Sequence, residues 1–228
     1  TLAAVFIEPV AGSTGTLVPP AGYLEKVREI CDKHGMLLVF DEVITGFGRM
    51  GTPFATQKFG VKPDIITMAK AITNGAIPMG GVAVTDDIYD TVVNSAPGNG
   101  IEFFHGYTYS AHPAACAAGI ATQKIYESDG LFENAANLES YFLDAVFSLR
   151  DHPLVADIRG IGMMAGVEVH PEGAPGARGG EMQKAMFWNG LHVKWTGDNA
   201  IIAPAFVAER KHVDEIIDKF RKTLDQAM

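Results

Sequence analysis

Two side chains in the first third of the chain could act together on a carbonyl compound: the acid that ends Met36-Leu37-Leu38-Val39-Phe40-Asp41 and the amine that ends Ile65-Ile66-Thr67-Met68-Ala69-Lys70. Each apolar run has strand length, the pattern of a parallel strand buried on both faces. In open α/β sheets ligands sit beyond the carboxyl ends of the strands. Two parallel strands ending in Asp41-Glu42 and Lys70 would therefore set a carboxylate and an ammonium on one edge of the sheet, facing a ligand. A lysine partly desolvated there loses its proton more easily, and the neutral amine condenses with a carbonyl to give a Schiff base. The bland alternative is that Asp41 only caps a helix and that Lys70 is solvated.

Pyridoxal phosphate is the cofactor that uses such a pair. A lysine holds its aldehyde, and an acid keeps the pyridine nitrogen protonated so that the ring becomes an electron sink. The elements that must position the pair read as alternating strand and helix. Residues 2–7 form a buried strand ended by Glu8-Pro9, and 11–15 form a loop. After Pro19-Pro20 comes a helix with Leu24, Val27, Ile30 and Cys31 on one face, closed by Gly35. Gly46, Gly48 and Gly51 predict a flexible loop around Arg49, and 81–84 another short buried strand. This alternation predicts an α/β fold with a doubly wound sheet.

Beyond a glycine-containing loop at 95–106, His112-Pro113 opens an alanine-rich helix over 114–126. Leu131, Ala135, Leu138, Phe142, Ala145 and Leu149 mark an amphipathic helix over 131–149. From Val155 the texture is that of an α+β lobe. It predicts a half-exposed antiparallel strand over 163–170, a Gly/Pro-rich surface loop over 171–180 and a helix over 181–188. Strands near 191–195 and 200–203 precede a closing helix over 209–228 that buries Val213, Ile216, Ile217, Phe220 and Leu224.

Composition narrows the function classes. With 228 residues, 47% of them hydrophobic, the chain can bury a sizeable core. Its 18 basic and 27 acidic side chains give a net charge of −9 without a basic run, which argues against nucleic acid and anionic membrane as partners. No stretch approaches the ~20 apolar residues of a membrane-spanning helix. Cys31 and Cys116 stand in no metal-like or redox-like spacing and read as two reduced, buried thiols, so no metal site is expected.

Three motifs in one order raise the cofactor reading: D-E-V-I-T-G-F-G-R at 41–49, M-A-K-A-I-T-N-G-A-I-P-M-G-G at 68–81, and H-G-Y-T-Y-S-A-H-P at 105–113. Together they resemble the class III aminotransferases, and within them the omega-amino acid:pyruvate branch. The resemblance runs over nearly the whole chain. It implies a fold-type I pyridoxal-phosphate transferase, of which 1–115 would be the later part of the large cofactor-binding domain, 116–150 bridging helices and 151–228 a small C-terminal domain. The family's amino-terminal portion, with a Gly/Ser-rich phosphate cradle and an aromatic stacked on the ring, is absent from this chain.

Residue by residue, the resemblance makes Lys70 the Schiff-base lysine, Asp41 the partner of the pyridine nitrogen and Val43 the apolar residue against the ring. Thr108 would reach the cofactor phosphate from the neighbouring subunit, implying a homodimer with shared active sites, and Glu8-Pro9 would lie near the substrate entrance. The implied activity is cytoplasmic transfer of an amino group from an omega-amino acid or amine donor to pyruvate. An aminomutase or decarboxylase on the same scaffold, or a non-catalytic fragment that only binds a partner chain, are the alternatives. Two positions depart from family patterns. Ile44 stands where another branch has a glutamine on the cofactor's phenolic oxygen, which favours the omega-amino acid branch. Lys194, in Val193-Lys194-Trp195-Thr196-Gly197-Asp198, stands where that branch has an arginine that swings to the substrate carboxylate. An ammonium is a point charge, whereas a guanidinium offers two parallel bonds. Carboxylate binding would then be weaker or differently aimed, or Lys194 is a surface residue and Arg49, or a residue of the family's amino-terminal portion, the next candidate anchor.

Overall fold

The computed structural model describes residues 2–98 and 100–228. The early apolar runs build a four-stranded sheet in the order β1 (Ala4–Ile7), β2 (Leu37–Asp41), β3 (Ile65–Met68), β4 (Gly81–Val84). The first three strands are parallel and β4 runs antiparallel at the edge. Helix α1 (Tyr23–His34) makes the crossover from β1 to β2, and Gly35, at φ 63°, supplies the left-handed residue that stops it. Leu24 and Cys31 of α1 pack on Leu38, Phe40 and Val61, while Ile30 is exposed.

The opposite face of this sheet is uneven. Val39 is buried there, yet Phe6 and Val82 on the same face are 60% and 65% exposed. Strands β1 and β4 are thus half-open, not buried as their composition suggested. Apolar composition reports what a strand prefers to touch, and none of the described residues covers this face at its edges. Two short helices went unread in the sequence. Helix α2 (Ala55–Phe59) is held by a side chain far behind it, and α3 (Asp86–Asn94) opens with two acids suited to a helix N-terminus.

The second sheet is antiparallel throughout, in the order β5 (Val155–Ile161), β6 (Met164–Val169), β8 (Asn199–Ile202), β7 (Lys194–Thr196). Helices α5 (Leu131–Phe147), α6 (Ala177–Trp188) and α7 (Arg210–Gln226) cover one face of it. Leu138 and Phe142 of α5, Phe220 and Leu224 of α7 and Met186 of α6 meet Val167 in its main core. The spacing-based helix faces hold, with Ala145 and Ile216 only partly buried. Helix α4 (Pro113–Ser128) begins on Pro113, whose missing N–H costs nothing at a first helical position.

Three expectations for this region are corrected. Strand β6 is not half-exposed: it is central, and Met164, Ala165, Val167 and Val169 are all buried. Loops of the first sheet close its second face, for a Cβ on Gly166 would lie 2.5 Å from the Gly15 carbonyl oxygen, and Met164 packs on Val10 and Met50. The 171–180 loop gives way to α6 at Ala177, because both oxygens of Asp198 accept the Gly176 and Gly179 amides at 3.1 and 2.9 Å. Gly179 is there for close approach, since a Cβ would sit 1.9 Å from the Gly197 carbonyl oxygen. Cys116 is only half-buried, unlike Cys31, and neither forms a disulfide. Among the described residues no helix is long and apolar enough to cross a membrane.

Candidate active site

In the parallel register Asp41 faces Thr67, and the Glu42 amide donates to the Thr67 carbonyl at 2.9 Å. The carboxyl ends of β2 and β3 therefore share one edge of the sheet. Directly after β3 the chain turns sharply at Lys70, whose φ of 45° lies in the left-handed region that a residue with a Cβ seldom adopts. The turn is held from outside. The Lys70 carbonyl accepts the Gly75 amide at 3.1 Å, and the Ala71 carbonyl accepts the Tyr126 hydroxyl of α4 at 2.8 Å. Lys70 is exposed, and its Nζ has no hydrogen-bond or ion-pair partner among the described residues.

Lys70 lines a cavity of about 410 Å³ at the junction of the two sheets. Val43, Ile44 and Arg49 form its first-sheet wall, and Lys194, Pro204 and Phe206 belong to the second. Lys70, Val43 and Lys194 are thus brought together. Asp41 is not on the lining; it sits two residues before Val43, with Oδ1 accepting the Val43 amide at 3.0 Å and Oδ2 without a partner among the described residues. Thr108 is not brought to this cavity. It lies in a separate, open cleft with Met79, His105 and His112. The Lys194 ammonium donates to the Ser13 hydroxyl at 3.2 Å, and Ser13 belongs to a loop braced by the Gly12 amide on Glu8 Oε2 at 2.9 Å.

The segment after Asp41 is packed, in contrast to the flexible loop its glycines suggested. Glu42, with no exposed surface, accepts the Thr45 hydroxyl at 2.7 Å, the Ala55 amide at 2.7 Å, and the Thr56 amide and hydroxyl at 3.0 and 3.1 Å. Its carboxylate thereby sits at the amino end of α2. Arg49 reaches the other way. Its Nη1 donates to the carbonyls of Met163 and Pro204 at 2.8 and 2.7 Å, and its guanidinium lies 4.5 Å from the Phe206 ring centroid. The Arg49 carbonyl in turn accepts the Met163 amide at 2.9 Å. Burial lowers the Arg49 pKa to about 10, so the group remains charged at neutral pH. A Cβ on Gly48 would lie 2.5 Å from the Phe132 ring, which shows a close approach where the sequence suggested mobility. Spacing revealed neither the Glu42 network nor the locking of Arg49. The available signal was a buried-strand acid followed by two threonines that could donate to it.

The chain matches the Aminotransferase class-III family over residues 1–224. It is 53% identical over 226 residues to an omega-aminotransferase of Caulobacter vibrioides, covering 99% of this chain and 51% of that one. It is 44% identical to a beta-alanine–pyruvate aminotransferase of Pseudomonas aeruginosa, covering 98% and 50%. The chain thus spans about half the length of the curated relatives it matches. Among solved structures, an omega-transaminase from Thermomicrobium roseum superimposes with a TM-score of 0.92 at 39% identity, over 99% of this chain and 51% of that one. A transaminase solved with L-alanine gives 0.95 at 32% identity, over 99% and 55%. Motif order, strand-end geometry and these likenesses agree: the chain belongs to the class III aminotransferases.

Proposed function

We propose that the protein is an aminotransferase that moves an amino group from an omega-amino acid or another amine to pyruvate. The observation that carries this reading is Lys70, an unengaged amine at the carboxyl end of a parallel strand, opening on a cavity beside the strand that ends in Asp41. Class III aminotransferases depend on pyridoxal phosphate. The residues present fit that group: a free amine at Lys70, a free carboxylate oxygen at Asp41, an apolar wall at Val43, and an enclosed, unpartnered hydroxyl on Thr67, the register partner of Asp41. When bound, the group supplies an electron sink for the carbon that carries the amino group.

In this reading the Lys70 Nζ is the base. It takes a proton from the carbon bearing the donor's amino group, and the second substrate, pyruvate, leaves as alanine after the reverse transfer. Asp41, whose Oδ2 is free among the described residues, would be the group that holds the protonated ring nitrogen, and the Val43 amide on Oδ1 fixes the carboxylate's direction. Val43 and Ile44 form the apolar wall beside the amine. Lys194, resting on Ser13, attracts the substrate carboxylate at the rim. Thr108, apart from this cavity in its own open cleft, suits a residue that serves the cofactor phosphate of a partner subunit, which supports a homodimer with shared sites as the working unit, in this reading a cytoplasmic one. Residues 1–115 then belong to the cofactor-binding domain, 116–150 bridge, and 151–228 form the small domain.

Borohydride reduction of the cofactor-saturated protein, followed by peptide mass mapping, should place the pyridoxyl group on Lys70. A label on another lysine, or none, removes the assignment. Turnover of the amine donor should require an added keto acid, and turnover without one would indicate a decarboxylase or aminomutase instead.

A further inference from the structure

We propose that the open edge of the Arg49 guanidinium is a carboxylate receptor built into the cavity, distinct from Lys194 at its rim. A guanidinium carries five N–H donors. In Arg49 only Nη1 is engaged, by the carbonyls of Met163 and Pro204. Nε and Nη2 have no partner among the described residues and are not sealed off, and Arg49 lines the cavity that Lys70 opens on. The Nε–H and one Nη2–H point in parallel from the same edge. That fork matches the two oxygens of a planar carboxylate.

The charge of the cavity agrees with the geometry. Its lining holds Arg49, Lys70 and Lys194 and no aspartate or glutamate. A desolvated cation without a counter-charge is unfavourable, and burial, offset only in part by Tyr126, lowers Arg49 to about 10. An arriving anion supplies the missing charge. The receptor is also pre-ordered, because two carbonyls and the Phe206 ring already fix the guanidinium, so little side-chain freedom is lost on binding. Lys194, exposed and on a flexible stem, lacks that advantage. With Ile44 and Phe206 alongside, the ligand is a small carboxylate with an apolar tail; in the aminotransferase reading this is the keto acid or amino acid itself.

The test needs no turnover. In the purified protein with ¹⁵N-labelled arginine, propionate is titrated and the arginine Nε–H signals are followed. The signal missing from Arg49→Lys should shift saturably with propionate, and should not move with the neutral propionamide. Lys194→Ala should leave the size of the saturated shift unchanged while raising the propionate concentration needed to reach it, and propionate should bind Arg49→Lys about tenfold more weakly by calorimetry. Should Arg49→Lys not fold, Phe206→Leu identifies the signal by removing the ring current above it, and the wild-type titration decides alone. An unmoved Arg49 signal, an equal response to propionamide, or displacement of propionate by equimolar sulfate overturns the carboxylate assignment. Because no donor or acceptor is present, such a failure leaves the Lys70 labelling result, and with it the aminotransferase reading, standing.

Discussion

On the first-sheet side of the cavity, the chain between β2 and α2 is fixed by buried charge. Glu42 collects four donors from Thr45, Ala55 and Thr56, and Arg49 supplies two bonds to carbonyls of the facing sheet. On the second-sheet side, β7, β8 and the segment after them rest on an apolar core in which Val193, Ile202 and Phe206 are buried and Trp195 stacks on Phe220 at 6.4 Å. The polar wall fails all at once when one hub is removed, because several donors lose their acceptor together. The apolar wall yields by degrees. Of the cavity's lining, Val43 and Arg49 stand on the first wall, and the exposed Lys194 stands on the second.

The sharpest way to break this contrast is at Glu42. Glu42→Ala strands two amides and two hydroxyls and should destabilise the protein by about 3–5 kcal/mol in urea unfolding, with Glu42→Gln milder because it keeps an acceptor. A loss under about 1 kcal/mol would mean that charge does not fix this wall. A second break lies where the walls touch. At Gly162, φ is 60° and a Cβ would lie 2.4 Å from the Arg49 carbonyl oxygen. Gly162→Ala should therefore lower stability by about 2–3 kcal/mol and shift the β5–β6 hairpin off the first wall, visible as altered amide signals at Met163 and Arg49. A neutral result would show the two walls to be independent.

The smallest effect is expected on the tolerant wall. Lys194→Ala should change stability by less than about 0.5 kcal/mol, since the side chain is exposed. It should raise the KM of pyruvate and of omega-amino acids roughly tenfold, a loss of about 1.4 kcal/mol, and leave a carboxylate-free amine unaffected. Equal effects on acids and plain amines would remove Lys194 from substrate recognition.

What the sequence disclosed follows from how far each interaction reaches. The run 36–40 announced β2 because burial on both faces is written in consecutive residues, and Leu38, Val39 and Phe40 are indeed buried. The strand-end placement of Asp41 and Lys70 followed from the same rule. Long-range contacts left no periodic trace. Ser13 meets Lys194 across 181 positions, and Arg49 meets Pro204 across 155. Glycine was the ambiguous letter, since freedom and close approach call for the same residue. Gly48 and Gly179 are present because Phe132 and Gly197 leave no room for a Cβ, and only the folded neighbour distinguishes this from a mobile turn. The bare edges of the first sheet were equally hidden, because Phe6 and Val82 are apolar whether or not anything lies over them.

The left-handed backbone at Lys70 has a mechanical consequence. Along β3 side chains alternate between faces, and the turn breaks that alternation one residue after Ala69, so the direction of the lysine's first bond is set by the main chain. A side chain aimed by its rotamer has to remain in that rotamer to stay on target. One aimed from the main chain keeps its torsions soft. Lys70 is a flexible tether on a fixed post: the region its amine can sweep is bounded by the turn, while motion within that region meets little resistance. The proposed transfer, in which one base collects a proton at one atom and delivers it at another, requires that combination.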